Sequence, residues 1–193
     1  MKIGFLGLTE KRPFLYTTLK ILQGLGDSVL FVTTNLQYAR LIMDEDYELE
    51  DIDGIFKAGA FQNTTIIVTS LTMDDLGPNG LNVINPDEFQ HCIYDNQVGA
   101  EVDYTLFIKG LEVSQEEKEA LELLNETEYA TFEFGFGKKP IRYTEAMFRK
   151  CEEFEARHYL VEIDRKISVI LCKLFSELLD YPLSNLRKVV ARK

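Results

Sequence analysis

Lys11 and Arg12 stand just beyond an apolar run at residues 2–8 and are followed by paired hydroxyls, Thr17 and Thr18. Two cations ahead of a threonine-started helix are groups that hold anions. The cations supply charge, while the hydroxyls and the helix N-terminus supply hydrogen-bond donors. The residues between them, Phe14, Leu15 and Tyr16, offer nothing to an anion. Exposed together they would make a dry contact with a protein partner; turned inward they would fill the space a ligand leaves. A second stretch, Phe134-Gly135-Phe136-Gly137-Lys138-Lys139-Pro140 with Arg142, sets glycines beside lysines and could cradle an anionic ligand. No serine or threonine follows those lysines, so a strand-to-helix connection with a basic surface is the simpler reading.

Other chemistry finds little support. Glu155 and His158 have a spacing that puts both on one face of a helix, but a metal site of that kind needs ligands from several helices. His91 and Cys92 are adjacent, yet the chain has only two histidines and three scattered cysteines, Cys92, Cys151 and Cys172. A zinc site or a disulfide framework is therefore not expected, and the cysteines suit a reducing compartment. No nucleophile elbow and no Ser-His-Asp set is visible.

The elements that would position these groups alternate in type. Residues 2–8, 28–33, 64–70, 103–109 and 129–134 are apolar or β-branched runs that read as strands, several buried on both faces, and 82–85 reads as a short one. Helices are expected at 17–25, stopped by Gly24 or Gly26, and at 36–43. A third follows a capping box at Ser114-Gln-Glu-Glu117, and a fourth runs over 144–157. Leu160, Ile163, Ile167, Ile170, Leu171, Leu174, Phe175 and Leu178 fall on one stripe, which predicts a long C-terminal helix ending before Pro182. This pattern predicts an α/β fold: a mostly parallel sheet with helices on both faces, in a single domain over 1–182, with a basic tail at 183–193.

The first thirty-five residues resemble the start of ParA/MinD-type (deviant Walker A) P-loop ATPases. That family opens with an apolar strand, a phosphate loop of the form KGGxGKTTL, a helix, and a second strand of the form GxxVLLIDxD. Here the matching segments are Met1–Leu8, then Lys11-Arg-Pro-Phe-Leu-Tyr-Thr17-Thr18-Leu19, then Gly26-Asp-Ser-Val29-Leu-Phe-Val32-Thr-Thr-Asn35. The resemblance implies a P-loop NTPase-like fold and equates Lys11 with the signature lysine and Thr17 with the magnesium-coordinating hydroxyl. It also exposes departures. Arg12, Pro13 and Leu15 replace glycines, Tyr16 replaces the phosphate-contacting lysine, and Thr33 replaces the aspartate of the second strand. The third strand, Ile66–Ser70, lacks the aspartate expected at its end. Without these groups phosphoryl transfer has almost no electrostatic support, so no cofactor is expected, ATP and Mg²⁺ included. Lys11, Arg12, Thr17 and Thr18 remain only a weak anion site.

The net charge of −11 argues against broad binding to nucleic acid. Seven carboxylates crowd residues 44–53, as on a solvated surface, and cations gather at the C-terminus. MinD-type proteins end in a membrane-targeting helix, but residues 183–193 carry too few apolar groups to hold a membrane, and a mobile solvated tail is expected. No run is long and apolar enough to span a bilayer, and a cytoplasmic location is expected. Together these features point to a non-catalytic, pseudo-ATPase domain that serves as an interaction, scaffold or regulatory component of a larger bacterial-type assembly. It would act through a protein partner or as a homodimer, with Phe14, Leu15 and Tyr16 as the contact. The alternative is an α/β protein or enzyme that binds another anionic small molecule at the strand C-termini through Lys11, Arg12, Lys138 and Lys139.

Overall fold

Nine short strands, most of them rich in apolar and β-branched residues, form one sheet in the computed structural model, which describes residues 1–8, 10–43, 47–71, 85–97, 100–109, 115, 129–135, 157–162 and 167–191. The strands are β1 (Lys2–Leu6), β2 (Val29–Thr33), β3 (Glu50–Ile52), β4 (Phe56–Phe61), β5 (Thr64–Val68), β6 (His91–Asp95), β7 (Tyr104–Lys109), β8 (Tyr129–Gly135) and β9 (Arg157–Glu162). Their order is β3-β4-β5-β2-β6-β1-β7-β8-β9. In that order all neighbours from β5 to β9 run parallel; only the β3–β4 and β4–β5 pairs, at one edge, are antiparallel.

Side-chain alternation divides the core into two layers. Ile3, Ile93, Phe31 and Ile66 lie side by side across β1, β6, β2 and β5 and face one layer. Leu30, Val32, Ile67, Cys92 and Tyr94 face the other. The first layer is covered by helices α1 (Arg12–Leu25), α3 (Ile167–Leu178) and α4 (Leu183–Ala191), which pack on one another. A short helix, α2 (Leu36–Ala39), lies on the same side through Ala39. The fold is thus α/β with a mostly parallel sheet, and the helices α1 to α4 all belong to one layer.

Several expectations need correction. The first helix starts at Arg12, not Thr17, because Pro13 suits the first helical turn, where its missing N–H costs nothing. It runs through Gly24 and stops at Gly26, whose φ of +86° is the left-handed cap that glycine adopts without strain. Gly24 matters for its size instead. A Cβ there would lie 2.1 Å from Val189 Cγ1, so only the bare glycine lets α4 dock this closely on α1. Residues 183–191 are therefore a packed helix rather than a loose tail, and full burial of Leu186 contributes about 2 kcal/mol.

The long helical stripe is two elements. Leu160 belongs to strand β9, Ile163 lies outside the described residues, and the helix begins at Ile167. His158 is likewise on β9, paired with Thr131 of β8, so it does not share a helix face with Glu155. Part of the acidic stretch is the edge strand β3, where charge discourages pairing with other chains. Beyond the end of β3 the Tyr47 hydroxyl accepts from Ala60 N–H (2.9 Å) and donates to Ala60 C=O (2.7 Å), closing that part of the edge. The segments at 82–84, 116–124, 136–140 and 144–156, with Lys138, Lys139, Arg142 and Cys151, lie outside the described residues.

Candidate functional site at the strand C-termini

The chain leaves β1 for β2 on one side of it and later passes from β6 to β7 on the other. Open α/β sheets bind ligands in the crevice outside the strand C-termini at such a switch. Gly7, which follows β1, has φ +115°, and a Cβ on it would sit 1.9 Å from the Ile108 carbonyl oxygen. Only glycine lets the chain turn so close to β7 and lead back to α1.

Register brings three polar groups together at this end. Asp95, the last residue of β6, is aligned with Phe5 of β1 and Thr33 of β2. The Thr33 hydroxyl donates to Asp95 Oδ2 (2.7 Å) and accepts from Asn35 N–H (3.0 Å). Lys11, the residue before α1, reaches down so that its Nζ lies 2.5 Å from Asp95 Oδ1. Lys11 and Asp95 are 2% and 1% exposed and Thr33 is fully buried, so this ion pair is inside the protein. A buried charge of either sign is costly alone, and each is held here by the other.

The helix start above the pair is also occupied. The Glu10 carboxylate accepts from Arg12 N–H (2.9 Å) and from the Arg12 guanidinium (2.8 and 3.2 Å). Pro13 has no N–H, and the N–H groups of Phe14 and Leu15 both donate to Lys11 C=O (3.0 Å each). Lys11 N–H points to the Tyr38 hydroxyl at 3.4 Å. Partial burial pushes the Glu10 carboxyl up, but the hydrogen bonds from Arg12 outweigh it and hold the group below the ordinary 4.5. Burial raises the Tyr38 phenol, which stays neutral and able to donate.

Of the residues singled out from sequence, Lys11 is at the site but turned inward, and Arg12 is at the surface paired with Glu10. Thr17 and Thr18 are buried in the second turn of α1 rather than at its start, so neither hydroxyl caps the helix. Phe14 and Leu15 are fully buried core residues; only Tyr16, 43% exposed with Lys20 5.6 Å from its ring, faces outward. Three successive helical residues span about 200° of the helix circumference, so one face cannot hold them all. The three residues therefore form no joint surface, and of them only Tyr16 is exposed.

Asp95, Glu10 and Tyr38 went unnoticed in the sequence. The carboxylate sought at the end of residues 66–70 stands instead at the end of β6, because β6 and not β5 is the strand beside β1. The signal was a five-residue run, His91-Cys-Ile-Tyr-Asp95, whose polar ends disguised a fully buried strand. His91 itself lies at the opposite end of the sheet with Nε2 2.9 Å from Asp27 Oδ2, and the buried Cys92 thiol donates to Pro86 C=O (3.3 Å). Among the described residues no cluster of three or more His, Cys, Asp or Glu could hold a metal ion. An open groove of about 560 Å³ lies away from the strand C-termini, beside the hairpin over Ala58, Ala60 and Thr65, and no cation is among the described residues that line it. No described helix is long and apolar enough to cross a membrane.

No family model matches the chain, and no curated protein matches it. Among solved structures it is similar to apo McdA from Cyanthece, with 15% identity, coverage of 98% of this chain and 99% of that one, and a TM-score of 0.49. It is similar also to a protein from Borrelia burgdorferi B31 described as a plasmid partition protein and bound to AMPPNP, with 14% identity, 97% coverage of each chain and a TM-score of 0.48. A third likeness is to the apo form of translation elongation factor SelB from Methanococcus maripaludis. It has 9% identity and a TM-score of 0.44, and covers 94% of this chain but 37% of that one. At such scores the overlays carry no functional argument; the side chains at the strand C-termini do.

Proposed function

We propose that this chain is a non-catalytic ParA/MinD-like domain, a pseudo-ATPase kept for its surfaces, that acts as an interaction, scaffold or regulatory component of a larger assembly. It works in the cytoplasm without ATP or Mg²⁺, through a protein partner or a second copy of itself. The observation that carries this reading is the buried Lys11–Asp95–Thr33 cluster, which closes the strand C-termini from within. Phosphate binding at a helix start needs free backbone N–H groups and an available cation. Here Glu10 and Lys11 C=O take the N–H groups of Arg12, Phe14 and Leu15, and Pro13 contributes none. The resemblance of residues 1–35 supports the family half of the proposal. Against membrane contact at the C-terminus, α4 spends its apolar face on α1 and α3.

A thermal-shift series with ATP, ADP and GTP, each with Mg²⁺, tests the proposal. A ligand at a hundredfold excess over its dissociation constant adds about 2.7 kcal/mol, or roughly 5–11 °C in a domain of this size. The expected result is no shift with any nucleotide. A shift of that size that disappears in Lys11→Ala overturns the proposal.

A further inference from the structure

We propose that Asp95 is the resident ligand of an oxyanion site whose donors are the Lys11 ammonium and the Thr33 hydroxyl, an autoinhibitory carboxylate that keeps external anions out. This deepens the non-catalytic reading and rests on it: the crevice is closed because its anion position is filled by the chain's own side chain.

The geometry has the parts of an anion site. One carboxylate oxygen meets a cation at 2.5 Å, the other accepts from a hydroxyl at 2.7 Å, and all three residues are at least 98% buried. Each donor is held by a different element. Lys11 sits at the start of α1 with its C=O tied to the first helical turn, and the Thr33 oxygen is fixed by Asn35 N–H. Asp95 is the C-terminal residue of a strand paired on both sides. The Thr33 oxygen thus has an anchor besides the carboxylate, and the first turn of α1 fixes the backbone from which the Lys11 side chain reaches. A carboxyl group occupies the space between Lys11 and Thr33, and taking it away leaves a hole of the size and polarity of a small carboxylate.

Chemical rescue tests this directly. Asp95→Ala removes the carboxylate and leaves both donors; sodium formate is the probe, with sodium chloride at equal ionic strength as the reference. Formate is expected to raise the Tm of Asp95→Ala over chloride by about 3–6 °C at ten times its dissociation constant. It should leave wild type and the Lys11→Met/Asp95→Ala double variant unmoved. If Asp95→Ala is unfolded in chloride, the yield of folded protein on dilution from denaturant into formate reads the same effect, and Asp95→Ser serves as a milder replacement. No formate-specific gain in either single variant overturns the inference, and so does an equal gain in wild type or in the double variant. These outcomes are separate from the nucleotide series, in which a wild-type shift with ATP that disappears in Lys11→Ala overturns the non-catalytic reading whatever formate does.

Discussion

Replacing Lys11 by methionine, or Asp95 by asparagine, leaves one charge inside the protein without its opposite. Both groups are at least 98% buried and 2.5 Å apart, so solvent screening gives little relief. Breaking such a pair from one side costs about 3–5 kcal/mol. In a domain of 193 residues that lowers the Tm by roughly 6–20 °C. The double variant Lys11→Met/Asp95→Asn has no buried charge at either position, and the Thr33 hydroxyl can still donate to the new amide oxygen. Its loss is expected to be no greater than that of either single variant, which makes the coupling between the two substitutions at least about 3 kcal/mol. Urea unfolding of the four proteins, followed by far-UV circular dichroism at constant m-value, measures that coupling directly. Single losses under about 1 kcal/mol that add within about 0.5 kcal/mol would refute the reasoning, because they belong to a pair loosened into solvent.

Three further outcomes are expected. Gly24→Ala gains about 1 kcal/mol of helix propensity but forces Val189 aside; a net loss of about 1–2 kcal/mol is expected, recovered in part by adding Val189→Ala, and a simple gain would contradict the α1–α4 contact. Phe14→Ala is expected to cost about 3–5 kcal/mol and Tyr16→Asp less than about 0.5 kcal/mol; comparable losses in denaturant melts would contradict their placement inside and outside. Glu10 has a depressed folded pKa, so its contribution is complete above the ordinary 4.5 and is lost as pH falls through the lower folded value. The stability gap between wild type and Glu10→Gln should therefore be widest near neutral pH and shrink in acid; a gap that widens in acid has the wrong sign.

What the sequence made legible was set by how far each signal reached along the chain. Strands β1, β2, β5, β7 and β8 were visible because apolar and β-branched runs declare themselves locally. Strand β6 was not, since His91 and Asp95 bracket it and only its place between β1 and β2 explains why both are buried. The same non-local fact hid the site. Lys11 and Asp95 are 84 positions apart, and nothing in either neighbourhood announces the other. The expectation of a joint contact at Phe14, Leu15 and Tyr16 fails for a geometric reason, and the inward alternative holds for the first two. Pro13 starts the helix five residues early, which carries Phe14, Leu15, Thr17 and Thr18 into the core. The amphipathic character of residues 183–191 is legible in the chain, but the partner of their apolar face, Gly24 of α1, is not.

A crystal structure determined from crystals grown with millimolar ATP and Mg²⁺ tests the closed crevice most directly. The expected result is an intact contact between Lys11 Nζ and Asp95, with α1 still beginning at Arg12 and no triphosphate at the strand C-termini. A nucleotide wrapped by residues 11–18, with Lys11 turned away from Asp95 toward its phosphates, would contradict it.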